Sequence, residues 1–360
     1  MKNKKKLIIL IALVFLCTVS ILIFYNSQQS QIESKAENVS EEIIKEANIS
    51  IDNLSKNHGE LAYEYLKYIQ RELPGRIAFS EMEEKSAITL LSFIKDIGYN
   101  KKNVEIQTIK KETGGSTGIP MQGNPDFDGG TPIDRSYNIV VTKEGNSKKA
   151  IIVGAHYDSA GNHGVDDNGA GVSLLLETLN RVKDEEVPFT IKFVFFGAEE
   201  VGMKGSGYYV DSMTDEEIKN TLFMINVDTI LSGDYAYLYG GSISSDGTVI
   251  KDEEVKKAFT MAEELKLDIV LPPIDNPVIP FPTGQKRSDH AHFSDKGIPY
   301  VYFEANNWNK GDQIQTEKLG LIMHTNNDDL DFIESNFPNR TMKHLESYSI
   351  LLNEMLINWE

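Results

Sequence analysis

Cysteine is almost absent from this sequence of 360 residues, in which the one cysteine is Cys17. The rest of the chain therefore has neither a disulfide nor a thiolate metal site, and a bound metal would need His, Asp and Glu ligands. Positive charge is also scarce, because 36 Lys and Arg face 54 Asp and Glu, which gives a net charge of -18. This acidity argues against nucleic-acid binding, which usually needs a basic surface.

An uncharged apolar run extends from Leu7 to Tyr25, directly after a cluster of four lysines within residues 2–6. Its 19 residues are close to the ~20 that span a bilayer and exceed the core of a typical cleaved signal. Since flanking lysines stay on the cytoplasmic side, we predict that residues 1–25 are a basic segment and transmembrane anchor. The remainder of the chain is then expected outside the cell, and a secreted form is the alternative.

Two further regions follow the anchor. Residues 26–57 are rich in Gln, Ser, Glu and Asn, and we predict a stalk there, with residues 58–360 forming the globular domain. Within that domain, Gly114–Ser136 is rich in Gly, Pro and Asp. Long loops of this kind are often lids or binding loops, so we expect this one to border the active site.

Short apolar runs alternate with helical patterns along the domain. The predicted strands are Val104–Ile109, Tyr137–Thr142, Ala150–Ala155, Thr190–Phe196, Leu222–Asp228, Tyr235–Tyr239 and Pro299–Phe303. The predicted helices are Leu61–Glu72, Ser80–Ile97, Gly169–Val182, Glu253–Leu265 and Asn339–Asn358. Strands that are apolar nearly throughout indicate an α/β domain with a mainly parallel central sheet, covered on both faces. Functional residues in such folds lie at the carboxyl ends of strands.

His156 follows the strand Ala150–Ala155, and Asp158 comes two residues later. Alternate residues of a strand share a face, so the two side chains are expected on the same side. An imidazole that binds a metal usually donates its second N–H to an acceptor. Asp158 is either that acceptor for His156 or holds the site together less directly.

Two adjacent carboxylates, Asp166 and Asp167, lie just before the helix that begins near Gly169. One of them can be explained as a helix N-cap. The other is close enough in sequence to reach the same centre as His156. A carboxylate that bridges two metal ions would screen their mutual repulsion.

Further candidate ligands also stand at the ends of elements. Glu199 and Glu200 follow the strand Thr190–Phe196, and adjacent side chains point in different directions, so one can bind metal while the other faces a substrate water. Asp228 ends another strand, and His324 lies in a later polar run. Histidine and carboxylate ligands suit zinc, and two metals ~3.5–4 Å apart would clamp both reacting oxygens.

These runs, in this order, resemble the secreted bacterial di-zinc leucyl-type aminopeptidases, whose wider family includes glutamate carboxypeptidase II and the glutaminyl cyclases. The resemblance covers residues 58–360 and implies a zinc-peptidase type of three-layer sandwich. It also implies two zinc ions per chain. The implied ligands are His156 with Asp228, His324 with Glu200, and Asp167 as the bridge; Glu199 is the implied general base, and Asp158 the residue that orients His156.

The resemblance implies peptide substrates cut at a free amino terminus, and it leaves alternatives. A carboxypeptidase would need a cationic pocket, for which Lys286, Arg287 and Arg135 are candidates. A glutaminyl cyclase would use a single zinc and typically has Asp-Gly before the Glu pair, where this chain has Gly197-Ala198. A non-catalytic ectodomain would have lost ligands.

The sequence does not predict the oligomeric state. The remaining histidines are interpreted as non-ligands: His58, His163, His290, His292 and His344.

Overall fold

The structure is a computed structural model that describes residues 31–54, 56–112, 127, 129–243, 249–273, 287–311 and 314–360. Its centre is a sheet of nine strands in the order β1-β2-β4-β3-β5-β9-β6-β7, with β8 pairing with β6. The strands are β1 (Val104–Lys110), β2 (Arg135–Lys143), β3 (Ser147–His156), β4 (Phe189–Phe196), β5 (Thr221–Val227), β6 (Tyr235–Ile243), β7 (Val249–Lys251), β8 (Ile269–Val270) and β9 (Tyr300–Asn306).

The four central strands β4, β3, β5 and β9 are parallel to one another. Towards the edges, β1 with β2, β2 with β4, and β6 with both β9 and β7 pair antiparallel. The expected parallel sheet is therefore found at the centre, with antiparallel additions on both sides. Antiparallel neighbours need no crossover helix, and none separates β1 from β2 or β6 from β7 among the described residues.

Helices cover both faces of the sheet. They are α1 (residues 31–47), α2 (Ile51–Leu54), α3 (Glu60–Glu72), α4 (Glu81–Ile97), α5 (Ala170–Val182), α6 (Lys204–Ser212), α7 (Asp215–Asn220), α8 (Glu253–Glu264), α9 (His290–Asp295), α10 (Leu330–Asn336) and α11 (Arg340–Ile357). Helix α4 begins where the Ser80 hydroxyl accepts the main-chain N–H of Glu83, and it ends at Gly98, which has a positive φ of 117°.

The alternating side chains of the central strands divide the interior into two cores. In β4, Phe193 and Phe195 point into the larger core, which α3, α5 and α11 cover. Val194 and Phe196 point into the smaller core, on the side of α6 and α9. This gives the three layers expected for the fold, and it buries the central strands on both faces.

The described part of residues 26–57 is largely helical and lies against the domain, although we expected a stalk there. Helix α1 covers residues 31–47 of this segment. Its Ile32 and Ala36 are buried, and Ile43 and Ala47 pack against the main core. These positions recur at helical spacing, so a narrow apolar stripe exists within a polar segment.

Two expectations fall mainly on residues outside the described ones. The anchor predicted within residues 1–25 is one, and the Gly114–Ser136 loop is the other, since residues 113–126 and 128 are not described. Within that loop, the ring of Phe127 packs edge-on against His163 at a centroid distance of 4.6 Å. Among the helices that the structure describes, none has the length and apolar character needed to cross a membrane.

Candidate metal centre

Three parallel strands bring candidate ligands to one edge of the sheet. Strand β3 ends at His156, which pairs in register with Phe196 at the end of β4. Strand β5 ends at Val227, one residue before Asp228. Because these neighbouring strands are parallel, their carboxyl ends meet, as expected for a site in an α/β fold.

Asp167 lies between the two candidate histidines and offers one oxygen to each. Its Oδ1 is 3.0 Å from Nε2 of His156, and its Oδ2 is 2.9 Å from Nε2 of His324. His156 Nε2 is also 3.4 Å from Oδ1 of Asp228, and His324 Nε2 is 3.1 Å from Oε2 of Glu200. The five predicted ligands therefore form two His–carboxylate pairs that share Asp167.

The spacing of these donor atoms fits zinc. A tetrahedral zinc ion with bonds of about 2.0–2.1 Å holds its ligand atoms about 3.3 Å apart, and the measured separations run from 2.9 to 3.4 Å. Oδ1 of Asp228 and Oε1 of Glu200 are buried and have no hydrogen-bond donor within the described residues. Buried carboxylate oxygens are costly unless they are paired or bind a metal. The residues present are therefore suited to hold a cation.

The negative charge of this cluster strongly favours protonated histidines or a bound cation. Burial lowers the pKa of the His324 imidazole, but the Asp167 and Glu200 carboxylates outweigh this effect and raise the pKa to about 12. Burial alone would raise the pKa of Asp167, yet the two imidazoles hold it well below its usual range. Protons on the histidines and a metal ion would compete for the same carboxylate charge.

Asp158 holds the turn that carries the two glutamates. It is fully buried, and its two oxygens accept the main-chain N–H groups of Glu199 and Glu200, both at 3.0 Å. Its Oδ1 is 3.5 Å from Nδ1 of His156, which is too long for a strong hydrogen bond. Asp158 therefore supports the centre mainly by fixing the turn that carries Glu199 and Glu200, and less by accepting a hydrogen bond from His156.

Glu199 and Glu200 diverge, as expected for adjacent residues beyond a strand. The cavity beside the centre has a volume of about 430 Å³, and Glu199 is among its lining residues, whereas Glu200 is not. The residue before them, Ala198, has a positive φ of 53°. Burial raises the pKa of Glu199 well above its usual value, and the nearby Asp289 and Glu200 add to the increase against the opposing effect of His156.

The backbone takes an unusual conformation at three points of the centre. Ala198 precedes Glu199, Thr229 follows Asp228, and His324 is itself a candidate ligand; their φ values are 53°, 52° and 57°. Non-glycine residues rarely adopt the left-handed region, and those that do are often found at functional sites. The surrounding contacts must therefore enforce the positions of these side chains.

Asp228 is held from behind by two hydroxyl groups. The Ser288 hydroxyl donates to its Oδ2 at 2.7 Å, and the Tyr302 hydroxyl donates to the same oxygen at 3.1 Å. The other oxygen, Oδ1, is left to face His156. The segment that begins at Ser288 thus helps to position Asp228.

The other histidines have different contacts. Nδ1 of His58 lies 2.8 Å from the Ser349 hydroxyl, and Nδ1 of His344 lies 2.9 Å from the main-chain oxygen of Leu231. The His290 ring packs on that of Tyr300, with centroids 4.3 Å apart. His292 lies against Gly207, and Nε2 of His163 is 3.5 Å from Asp329.

A group of buried charged residues that sequence reasoning missed holds the loops around the centre. Asp328 accepts the main-chain N–H groups of Asp166 and Asp167 at 2.6 and 3.1 Å. Asp166, in turn, accepts N–H groups from Leu231 and Ser232, so it ties two loops together and caps no helix. In the sequence, the one feature that pointed to Asp328 was its position in the polar run after His324.

Arg76 is a buried cation next to this acidic cluster, and it is only 1% exposed. Its guanidinium donates to the main-chain oxygens of Leu73, Tyr157, His163 and Gly164 at 2.7–3.0 Å. Burial lowers its pKa to about 10, while the acidic cluster acts in the opposite direction. Its sequence context, just after Pro74-Gly75, gives no indication of burial.

Known proteins are similar to this chain in sequence. A family model described as peptidase family M28 matches residues 138–348. The aminopeptidase YwaD of Bacillus subtilis (strain 168) is 28% identical over 283 residues, which are 77% of this chain and 57% of YwaD. The alkaline phosphatase isozyme conversion protein of Escherichia coli (strain K12) is 26% identical over 279 residues, which are 72% of this chain and 76% of that protein.

Solved structures share the fold. BSAP, a zinc aminopeptidase from Bacillus subtilis, superposes with a TM-score of 0.62 at 18% identity, over 84% of this chain and 96% of BSAP. The glutaminyl cyclase of Tannerella forsythia gives a TM-score of 0.58 at 20% identity, over 84% of this chain and 99% of that chain. Proteins with two different activities therefore share this architecture.

Asp328→Asn is expected to weaken zinc binding by about 10- to 100-fold, because supporting residues of this kind orient the ligands. The amide cannot accept both N–H groups that fix the position of Asp167. Asp329→Asn is the matched control, since Asp329 accepts the N–H of Phe332 as the N-cap of α10, a role that Asn fills as well. Competition with a chromogenic chelator measures both affinities, and an unchanged affinity in Asp328→Asn would contradict this role.

Proposed function

The chain belongs to peptidase family M28, whose model matches more than half of it, and on that premise we propose that it is a zinc aminopeptidase that removes N-terminal residues from peptides. The family resemblance found in the sequence is thereby confirmed. Its relatives include bacterial aminopeptidases and, among solved structures, glutaminyl cyclases. The exact activity is our proposal.

The observation that carries the proposal is the position of Asp167. One of its oxygens faces the pair His156–Asp228, and the other faces the pair His324–Glu200. A carboxylate placed in this way supports two zinc ions, one in each pair. A glutaminyl cyclase with a single zinc would need one such pair, so the second pair favours the aminopeptidase.

The residues of the chain have separate tasks in the proposed hydrolysis. Bound zinc would lower the pKa of a water molecule towards ~7 and polarise the scissile carbonyl. Glu199, which faces the cavity, accepts the proton of the attacking water and returns it to the leaving amine. Asp158 holds Glu199 in place through its main-chain N–H.

The carboxypeptidase alternative depends on cations at the cavity. Arg287 lines the cavity, but Arg135 is not among its lining residues and lies 3.9 Å from Glu84. The third candidate, Lys286, lies outside the described residues. The proposal is therefore the aminopeptidase, and substrates blocked at either end distinguish the two activities.

The purified full-length protein is expected to bind about two zinc ions and to lose peptidase activity on thorough chelation. Two His–carboxylate pairs around one shared carboxylate are the physical reason. Elemental analysis gives the zinc content, and an aminoacyl p-nitroanilide before and after chelation gives the activity. Full activity in a protein shown to hold no metal would overturn the metallopeptidase proposal.

The variant Glu199→Gln is expected to keep zinc and to lose turnover by about 10²–10⁴-fold, because the amide cannot take up a proton. Glu200→Gln is the matched variant at the neighbouring position. It is expected to lose zinc in addition to turnover, since Glu200 contacts His324 at the centre. Zinc content and kcat are measured for both variants. Near-normal turnover in Glu199→Gln would exclude Glu199 as the general base.

We also propose that the protein is anchored in the cell membrane with its domain outside. The support is the lysine cluster followed by the apolar run Leu7–Tyr25. Fractionation should find the protein with membranes, and protease added to intact protoplasts should digest the domain. A mature form found free in the medium that begins near residues 26–30 would replace the anchor with a cleaved signal.

A further inference from the structure

The cavity wall also carries an acidic residue, Glu304, that does not belong to the metal centre. Glu304 lies on β9 and is 8% exposed. Its Oε2 accepts hydrogen bonds from the Trp308 indole at 2.7 Å and the Tyr239 hydroxyl at 3.1 Å. Its Oε1 accepts from the Asn306 amide at 3.2 Å. The carboxylate is thus oriented on the cavity wall by three neutral donors.

Within the described part of the chain, Glu304 forms no ion pair that would offset its charge. None of the ion pairs among the described residues includes it, and its hydrogen-bond donors are an indole, a phenol and an amide. Burial raises its pKa to about 7, and the nearby Asp228 carboxylate adds to this effect. Buried carboxylates are ordinarily paired with a cation or a metal.

Aromatic rings surround this carboxylate. The rings of Tyr239 and Tyr302 have centroids 4.8 Å apart, and the Trp308 ring is 6.4 Å from that of Tyr239. All three residues line the cavity together with Glu304. Aromatic faces beside a carboxylate are a combination that binds ammonium and guanidinium groups.

A chain of contacts connects this wall to the metal centre. The Tyr302 hydroxyl donates to Asp228, the Tyr302 ring packs beside that of Tyr239, and the Tyr239 hydroxyl donates to Glu304. A substrate residue that starts at Asp228 would therefore pass the Tyr302 ring before it reaches Glu304. Lys and Arg combine a long side chain with a positive charge at its end.

We propose that this pocket selects substrates whose N-terminal residue is Lys or Arg, with Glu304 as the partner of the cationic side chain. The proposal rests on the proposed aminopeptidase activity and names its substrate class. Arg287 lines the same cavity but is exposed, whereas Glu304 is buried, so water screens the charge of Glu304 less.

The test compares matched substrates on the full-length zinc-loaded protein. Arginyl and citrullyl p-nitroanilides differ in charge but hardly in shape, and lysyl and norleucyl p-nitroanilides share a four-carbon chain. The parent should show at least a roughly tenfold higher kcat/KM for the charged member of each pair. Glu304→Gln should lower kcat/KM for the charged substrates by about 10- to 100-fold and change the neutral ones by less than about threefold.

Several results would overturn this inference. Equal kcat/KM within each pair would remove the cation selectivity, and a preference for glutamyl p-nitroanilide would assign the selectivity to Arg287. An equal loss on all substrates in Glu304→Gln, together with a lower Tm, would mean that Glu304 only holds Tyr239 and Trp308 in place.

Failure of the proposed function would look different, since no aminoacyl substrate would be cleaved although zinc is bound. Calorimetry with free arginine and free citrulline then tests the pocket by itself. Tighter binding of arginine to the parent, lost in Glu304→Gln, would support the inference. Equal binding of the two amino acids would overturn it.

Discussion

Several buried carboxylates lie close together at this edge of the sheet, and the loops there must offset their mutual repulsion. Asp158, Asp166 and Asp328 each accept two main-chain N–H groups from a neighbouring loop, so each negative charge also fixes a backbone. Arg76 adds a buried positive charge among them. Together these contacts place Asp167 and Glu200, whose own charges are left to be offset by a cation at the centre.

The parts of the fold and site that depend on local pattern could be predicted from the sequence. Apolar runs such as Thr190–Phe196 become strands buried on both faces, because both cores need their alternate side chains. The polar residues directly after such runs, including His156 and Asp228, had to lie at the carboxyl edge of the sheet. The structure brings all five predicted ligands together there.

Contacts between distant segments could not be predicted in the same way. Arg76 resembles any surface arginine in the sequence, and it is buried because carbonyl groups from a loop 81 residues later meet its guanidinium. Glu304 lies in a strand whose pattern shows burial, but Tyr239, which donates a hydrogen bond to it, comes from a different strand. Helix α1 shows the same limit, since average polarity concealed the few apolar residues that pack on the domain.

The bridging position of Asp167 has a consequence for the order in which the protein is made. Its two imidazole neighbours, His156 and His324, are separated by 324 − 156 = 168 residues. Translation produces His324 only after all nine described strands, so a growing chain contains one half of the centre long before the other. The proposed two-metal centre can therefore assemble only after the strands of the sheet have been made.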